Sequence, residues 1–392
     1  MNILHVVNNL DPALGGPPSV AVKLSAAQAR LGHDVSLIGT LYPDRRADVE
    51  RVIAQTPGSE ALRVYPQALG GRFERIWMRN LMGELCRITT GVNVLHLHGV
   101  WDPILLRAAS QARRMGRPYV VRPCGMLDPW SLSQHAWKKW IAMAMFYRRM
   151  LDRAAVLHCL NVDERRLIEV LDLRAPKVVV PNGMNLEEID PPPMPGEFRR
   201  KYSELGDRPY LLFLSRLHFK KGLDILATAY AQFIRRGGDM SLVVAGPDDG
   251  DGSKQDFERR IQAADLSQHV LMTGPIYGDA KYEAICDAAA FVLPSRQEGF
   301  SVAITEAMAC GRPVVITKNC HFPEVAQAGA GIVTGFDADE VAAALWRIAQ
   351  DPEASAAMGR AGAALVRQQY TWAKIAARTL EVYHEFGNVN KC

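Results

Sequence analysis

The stretch Ala290-Phe291-Val292-Leu293-Pro294-Ser295-Arg296-Gln297-Glu298-Gly299-Phe300-Ser301-Val302-Ala303-Ile304-Thr305-Glu306-Ala307-Met308-Ala309-Cys310-Gly311-Arg312-Pro313 decides the fold. Ala290–Leu293 is an apolar strand halted by Pro294. A helix starts near Ser301 and closes at Gly311, and Pro313 opens a further β-branched run, Val314–Ile316. Strand, helix and strand in succession form a crossover unit, and such units build parallel sheets faced by helices.

The same alternation extends both ways. Ile332–Val333 follows, while Tyr210–Leu214, Ser241–Ala245 and Val270–Met272 precede. An earlier series is expected at Ile3–Val7, Val35–Ile38, Val94–Leu97, Tyr119–Arg122, Ala155–Cys159 and Val178–Val180. Between the two series, Asp190-Pro191-Pro192-Pro193-Met194-Pro195-Gly196 has four prolines in five positions, which forbids helix and central strand and makes a stiff connector. The expected architecture is α/β, with two Rossmann-like halves, 1–190 and 191–370, facing each other across a cleft lined by strand-end loops.

Composition agrees. At about 150 residues per domain, 392 residues suit two domains, and 48% hydrophobic content with a net charge of +4 excludes a disordered chain. The charge is uneven: residues 1–190 hold 24 Lys+Arg against 18 Asp+Glu, residues 191–392 hold 22 against 24. Residues 101–150 carry nine basic side chains against Asp102 and Asp128, and within 135–150 they are interleaved with Trp137, Trp140, Phe146 and Tyr147. That pattern suits an anionic surface, whether phospholipid, pyrophosphate-linked lipid or nucleic acid; a solvated helix face with inward aromatics explains it equally. The seven cysteines are scattered, with no CxxC pair and no zinc-ligand spacing, so neither a disulfide scaffold nor a metal site is expected. The chain starts on a strand-like run without signal-peptide features, and a cytoplasmic location is expected.

The strand-end loops carry the chemistry. Gly15-Gly16, before a helix over Ser19 to Leu31, lets backbone N–H groups approach a phosphate or sugar; a tight turn ahead of Pro17 explains it as well. In His96-Leu97-His98-Gly99, alternation points His96 and His98 to one side, and His98 is either a donor to a bound hydroxyl or a satisfied structural histidine. Ser215-Arg216-Leu217-His218-Phe219-Lys220-Lys221-Gly222 sets Arg216 at a strand end and Lys221 at a helix start. Two converging cations there suit a diphosphate; the alternative is two exposed loop cations. The amides of Gly299, Phe300 and Ser301 form a second helix N-terminus, Glu298 is placed for a sugar hydroxyl, and Glu306 for the vicinal hydroxyls of a ribose. Asp248-Asp249-Gly250-Asp251 has metal-like composition but reads as a solvated turn.

Taken together, Glu298-x7-Glu306, the run Glu306-Ala307-Met308-Ala309-Cys310-Gly311-Arg312-Pro313 and Arg216 with Lys221-Gly222 resemble retaining glycosyltransferases of the glycogen-synthase-like group, which have the GT-B fold and use nucleotide-sugar donors. Ala245-Gly246-Pro247-Asp248, Pro181-Asn182-Gly183 and Tyr370-Thr371-Trp372 to Tyr383 are similar to that group's post-strand turn, interdomain motif and carboxyl-terminal helix. The resemblance implies that residues 371–392 return to the first domain. It assigns catalytic roles to His98, Arg216, Lys221 and Glu298, with Arg216 and Lys221 on the donor pyrophosphate and His98 on the sugar. Gly15, Gly16, Gly274, Ile276, Gly299, Phe300, Ser301 and Glu306 would hold the nucleotide sugar, Thr273-Gly274-Pro275-Ile276 reading the base. No cofactor and no metal are implied; the UDP- or GDP-linked donor is a substrate.

Arg122-Pro123-Cys124-Gly125-Met126-Leu127-Asp128-Pro129-Trp130 resembles a segment of bacterial surface-polysaccharide and O-antigen transferases, with Cys124 replacing a commoner polar residue. This implies a glycan or lipid-linked acceptor. The basic, aromatic 135–150 segment would suit peripheral docking to an anionic membrane, at the inner face of the cytoplasmic membrane, and no nucleic-acid partner is expected. Two rival readings are a sugar-nucleotide 2-epimerase and a non-catalytic nucleotide-sugar-binding protein.

Overall fold

A computed structural model describes residues 1–11, 16–68 and 79–387, side chains at 79–82 excepted. The chain forms two compact units, Met1–Gly183 with the segment from Trp372 onward, and Met184–Thr371.

Among the described residues the first unit holds seven parallel strands: β1 (Asn2–Asn9), β2 (Asp34–Leu41), β3 (Leu62–Ala68), β4 (Val94–His98), β5 (Tyr119–Arg122), β6 (Val156–Cys159) and β7 (Lys177–Val179), in the order β3-β2-β1-β4-β5-β6-β7. The second holds six: β8 (Tyr210–Leu214), β9 (Ser241–Ala245), β10 (Val270–Gly274), β11 (Ala290–Leu293), β12 (Val314–Thr317) and β13 (Gly331–Thr334), in the order β10-β9-β8-β11-β12-β13. This is the expected α/β class: two Rossmann-like sheets, each winding outward from a central pair. The central pairs are β1/β4 and β8/β11, so the loops after Asn9, His98, Leu214 and Leu293 open at the switch points where such sheets bind ligands.

Most central strands are fully buried because helices cover both faces of each sheet. β3 is absent from the sequence expectation because Pro66 interrupts it. It is tolerated there because β3 lies at the sheet edge, where the missing N–H breaks fewer ladder bonds.

In the first unit, Leu4, Val6, Leu95, Leu97, Val121 and Leu157 pack on one sheet face. Ile3, Val94, Val120 and Val156 pack on the other, together with Trp372, Ile375 and Ala376 of the final helix, Trp372–Gly387. Strand alternation puts His5, His96, His98, Arg122 and His158 on this second face, so it turns from apolar to polar towards the strand carboxyl ends.

The chain leaves the first unit at Gly183, ahead of the proline connector, which lies inside the second unit. The crossing is a paired one: Met184 N–H donates to Tyr370 O at 2.8 Å, and a Cβ on Gly183 would come within 2.8 Å of Trp372. Among the described residues no helix is long and apolar enough to cross a membrane.

Candidate functional site

In the second unit three adjacent strand ends are laced together. Ser215 N–H donates to Ala245 O (3.1 Å), Leu217 N–H to Pro247 O (2.8 Å) and Gly246 N–H to Gly274 O (2.9 Å). Gly246 has φ +149°, and a Cβ there would lie 1.8 Å from Ser215 O. Gly246→Ala is therefore expected to destabilise the second unit by roughly 2–4 kcal/mol, seen as a lower thermal midpoint; an unchanged midpoint would contradict this packing.

The Lys221 loop is pressed onto the loop after β11. A Cβ on Gly222 (φ +69°) would sit 2.0 Å from Pro294 O, and Arg296 N–H donates to Lys220 O at 2.7 Å. This brings Lys221 Nζ to 2.6 Å from Glu298 Oε1, with the two side chains 13% and 8% exposed. Ser295 Oγ donates to the same oxygen at 2.6 Å, and Glu298 N–H donates to Asn319 O at 3.1 Å. A lysine and a carboxylate are thus held, nearly buried, at the β8/β11 switch point. Arg216 is 62% exposed, its Nη1 2.6 Å from Asp249 Oδ2.

Ser301 caps the helix Val302–Ala309 through its backbone only and is buried. The Phe300 ring packs on Phe322 and Tyr370, at 5.4 and 6.2 Å between centroids. Further along that helix, Glu306 Oε1 lies 2.7 Å from Lys281 Nζ and 3.4 Å from the Tyr282 hydroxyl, which also donates to Glu188. Burial pulls the Lys281 ammonium down, but the charge and hydrogen bond of Glu306, with Glu188, outweigh it and hold the group above its ordinary range. Burial, then Glu306 and Glu188, push the Tyr282 hydroxyl up.

Of the residues singled out in the sequence, Lys221 and Glu298 are in direct contact. Arg216 and Gly274 (φ +71°) sit on neighbouring strand-end loops, and Ile276 packs partly on the core. Glu306 is engaged by Lys281 and Tyr282, partners that no local pattern signals. The carboxylates of the Asp248–Asp251 turn are engaged too: Asp249 pairs with Arg216, and Asp251 accepts from Phe219 N–H at 2.7 Å. His98 and Gly16 belong to the first unit. Gly16 opens the helix Gly16–Arg30, where a side chain would meet open space; Gly15 lies outside the described residues.

His98 is 1% exposed, its Nε2 2.9 Å from His5 Nδ1. His5, His96 and His98 are, among the described residues, the one group of three or more His, Cys, Asp or Glu spaced to share an ion. The loop after β5 is pinned by buried Glu164, which accepts from Gly125 N–H at 2.6 Å and Leu160 N–H at 2.5 Å. In the 135–150 segment, Trp137, Trp140, Met145 and Phe146 are exposed and Tyr147 is buried.

Residues 196–364 match the glycosyl transferases group 1 family, and residues 15–183 match the glycosyl transferase 4-like domain. Both units thus match glycosyltransferase models, group 1 in the second and the 4-like domain in the first. The chain is 30% identical over 214 residues to the GDP-mannose-dependent alpha-(1-6)-phosphatidylinositol monomannoside mannosyltransferase of Mycolicibacterium smegmatis, covering 52% of this chain and 55% of the relative. The chain thus spans about half the length of that mannosyltransferase. To the D-inositol 3-phosphate glycosyltransferase of Kineococcus radiotolerans it is 27% identical, over 94% of this chain and 90% of the relative. Among solved structures, Anabaena HepE in complex with UDP-glucose superposes with a TM-score of 0.77 at 18% identity, covering 98% of this chain and all of HepE (100%). Sucrose-phosphate synthase of Thermosynechococcus elongatus gives 0.75 at 18% identity, over 98% and 99%. At such identities these neighbours establish the fold alone.

Proposed function

We propose that the chain is a retaining, metal-independent glycosyltransferase. It moves a sugar from a UDP- or GDP-linked donor to a glycan or lipid-linked acceptor in bacterial surface-polysaccharide assembly. The observation that carries this reading is the nearly buried Lys221–Glu298–Ser295 arrangement at the β8/β11 switch point, with Arg216 earlier on the same loop as Lys221. Without a donor, Glu298 balances the Lys221 charge. With one, Lys221 and Arg216 neutralise the diphosphate while Glu298 and the amides of Gly299 to Ser301 hold the sugar. The bond from the anomeric carbon to the diphosphate breaks, the acceptor oxygen bonds to that carbon from the same face, and the acceptor proton passes to a diphosphate oxygen. Positioning and charge neutralisation supply the catalysis, and no protein base is required. Glu306, held by Lys281 and Tyr282, takes the ribose.

A donor panel tests the binding half. A cognate UDP- or GDP-sugar at a hundred times its dissociation constant should stabilise the protein by about 2.7 kcal/mol. A panel without any stabilising nucleotide sugar would sink the reading. A 2-epimerase would convert the nucleotide sugar with no acceptor present, whereas the transferase leaves its configuration unchanged.

The acceptor reading extends to the membrane. Trp137, Trp140, Met145 and Phe146 are 67, 74, 65 and 53% exposed beside Lys138, Arg148 and Arg149, the mixture that suits an anionic interface. The protein is expected to sediment with phosphatidylglycerol-containing vesicles more than with neutral ones, and Trp137→Ser with Trp140→Ser should remove most of that binding. Equal sedimentation with both vesicle types would refute the docking.

A further inference from the structure

The first unit contains a chain of hydrogen bonds that ends at His98 and His96. His5 stands between two partners: its Nδ1 is 2.9 Å from His98 Nε2, and its Nε2 is 2.8 Å from Gln28 Oε1. Gln28 Nε2–H donates to the Tyr383 hydroxyl at 3.3 Å, and that oxygen is 2.5 Å from His96 Nδ1. All five side chains are at most 1% exposed. Burial holds His5 at about 4, and burial with the neighbouring imidazoles and Arg122 holds His96 and His98 far below the ordinary histidine range, so each ring carries one proton at neutral pH.

With neutral rings the protons can be followed bond by bond. Gln28 Oε1 only accepts, so His5 carries its proton on Nε2, and its Nδ1 accepts from His98 Nε2–H. His98 Nδ1 is left as a bare acceptor. On the other side, the Gln28 amide occupies the Tyr383 oxygen, the Tyr383 O–H points at His96 Nδ1, and the His96 proton is therefore on Nε2. Turning the Gln28 amide over reverses every bond and exchanges the two end roles. In either sense one end donates and the other accepts.

Those two ends, His98 Nδ1 and His96 Nε2, are both buried without a partner, on rings stacked 4.6 Å apart and inclined by 16°. Buried polar atoms are rarely left this way, and a hydroxyl satisfies a donor and an acceptor at once. Arg122, wholly buried with Nε and Nη1 unpartnered, offers further donors. Its guanidinium in the same cluster opposes a metal cation on the three imidazoles.

We propose that Tyr383, Gln28 and His5 are positioning residues: they form a relay from the final helix that sets the tautomers of His96 and His98, so that this pair binds one substrate hydroxyl. The proposal rests on the reading that His98 touches a substrate hydroxyl. Nitrogen-15 spectra of selectively labelled histidines test the relay directly, with His96 and His98 assigned through His96→Gln and His98→Gln. Both rings should be neutral and of the same tautomer, protonated on Nε2. Tyr383→Phe should release His96 to a mixture while His98 stays fixed, and Gln28→Leu should release both.

Adding UDP-glucose or GDP-mannose, whichever raises the melting temperature, should shift the His98 Nδ1 resonance. Tyr383→Phe should lower kcat for nucleotide diphosphate release about tenfold with KM within twofold. Opposite tautomers, a charged ring, zinc retained at one per chain, or an unchanged kcat in Tyr383→Phe would each overturn the proposal. So would a resonance that ignores the nucleotide sugar, which would leave a trapped water as the guest. Full activity in His98→Gln would instead overturn the underlying reading of His98, whatever the tautomers are.

Discussion

Lys221→Ala is expected to lower nucleotide diphosphate release by at least a hundredfold. Lys221 is a cation 13% exposed and largely out of water; in the proposed mechanism it faces the leaving diphosphate as that gains charge, and removing one such electrostatic stabiliser typically costs 10²–10³ in rate. The substitution also strands Glu298, and breaking one side of a buried ion pair costs about 3–5 kcal/mol of stability. Arg216→Ala separates the two effects. Arg216 is mostly exposed and pairs with Asp249 at the surface, a contact worth at most about 1 kcal/mol. It should lose activity to a similar degree while the melting temperature stays put. Normal turnover in both variants would remove the assigned pyrophosphate site.

Acid should unfold the first unit well before the carboxylates titrate. His5, His96, His98 and His158 are wholly buried, and burial depresses all four, His5 to about 4. In the unfolded chain these rings titrate near the ordinary 6.5, so below that pH the unfolded state binds protons that the native state refuses. Stability is fully present above pH 6.5 and is lost as pH falls towards the depressed native values. At pH 5.5 each ring costs about 1.4 kcal/mol, on the order of 5 kcal/mol for the four. Burial raises Glu164 and Asp102, which work in the opposite sense but are two groups against four. Urea unfolding at pH 7.5 and 5.5 measures the difference. Equal midpoints would mean that the rings are charged or hydrated in the native protein.

The fold was legible because its signals are local. β8, β9 and β11 match the expected spans residue for residue, since strands covered on both faces appear as short apolar runs between turn residues. Pro66 hid β3, because a strand proline argues against a strand until the edge position is known. The proline connector drew attention to 191–195, whereas the crossing is made at Gly183 by contact with Trp372, far along the chain.

The site was legible as residue types at strand ends but not as contacts. Lys221 and Glu298 are 77 residues apart, and the sequence gives no sign that one neutralises the other. Lys281 lies 25 residues before Glu306 in an unremarkable helix. Alternation put His96 and His98 on one face, but Tyr383, 287 residues from His96, joins them only because the final helix packs against the first sheet. Long-range polar pairing is set by topology, which the periodicity of a single segment does not encode.

The most direct test of the central claim is turnover with a membrane extract as the source of acceptor. The protein is incubated with UDP- and GDP-sugars, and nucleotide diphosphate release is measured with and without the extract. Acceptor-dependent release from one nucleotide class, lost in Lys221→Ala, is the predicted result. No release from any donor, or conversion of the nucleotide sugar without extract, would contradict a glycosyl transfer.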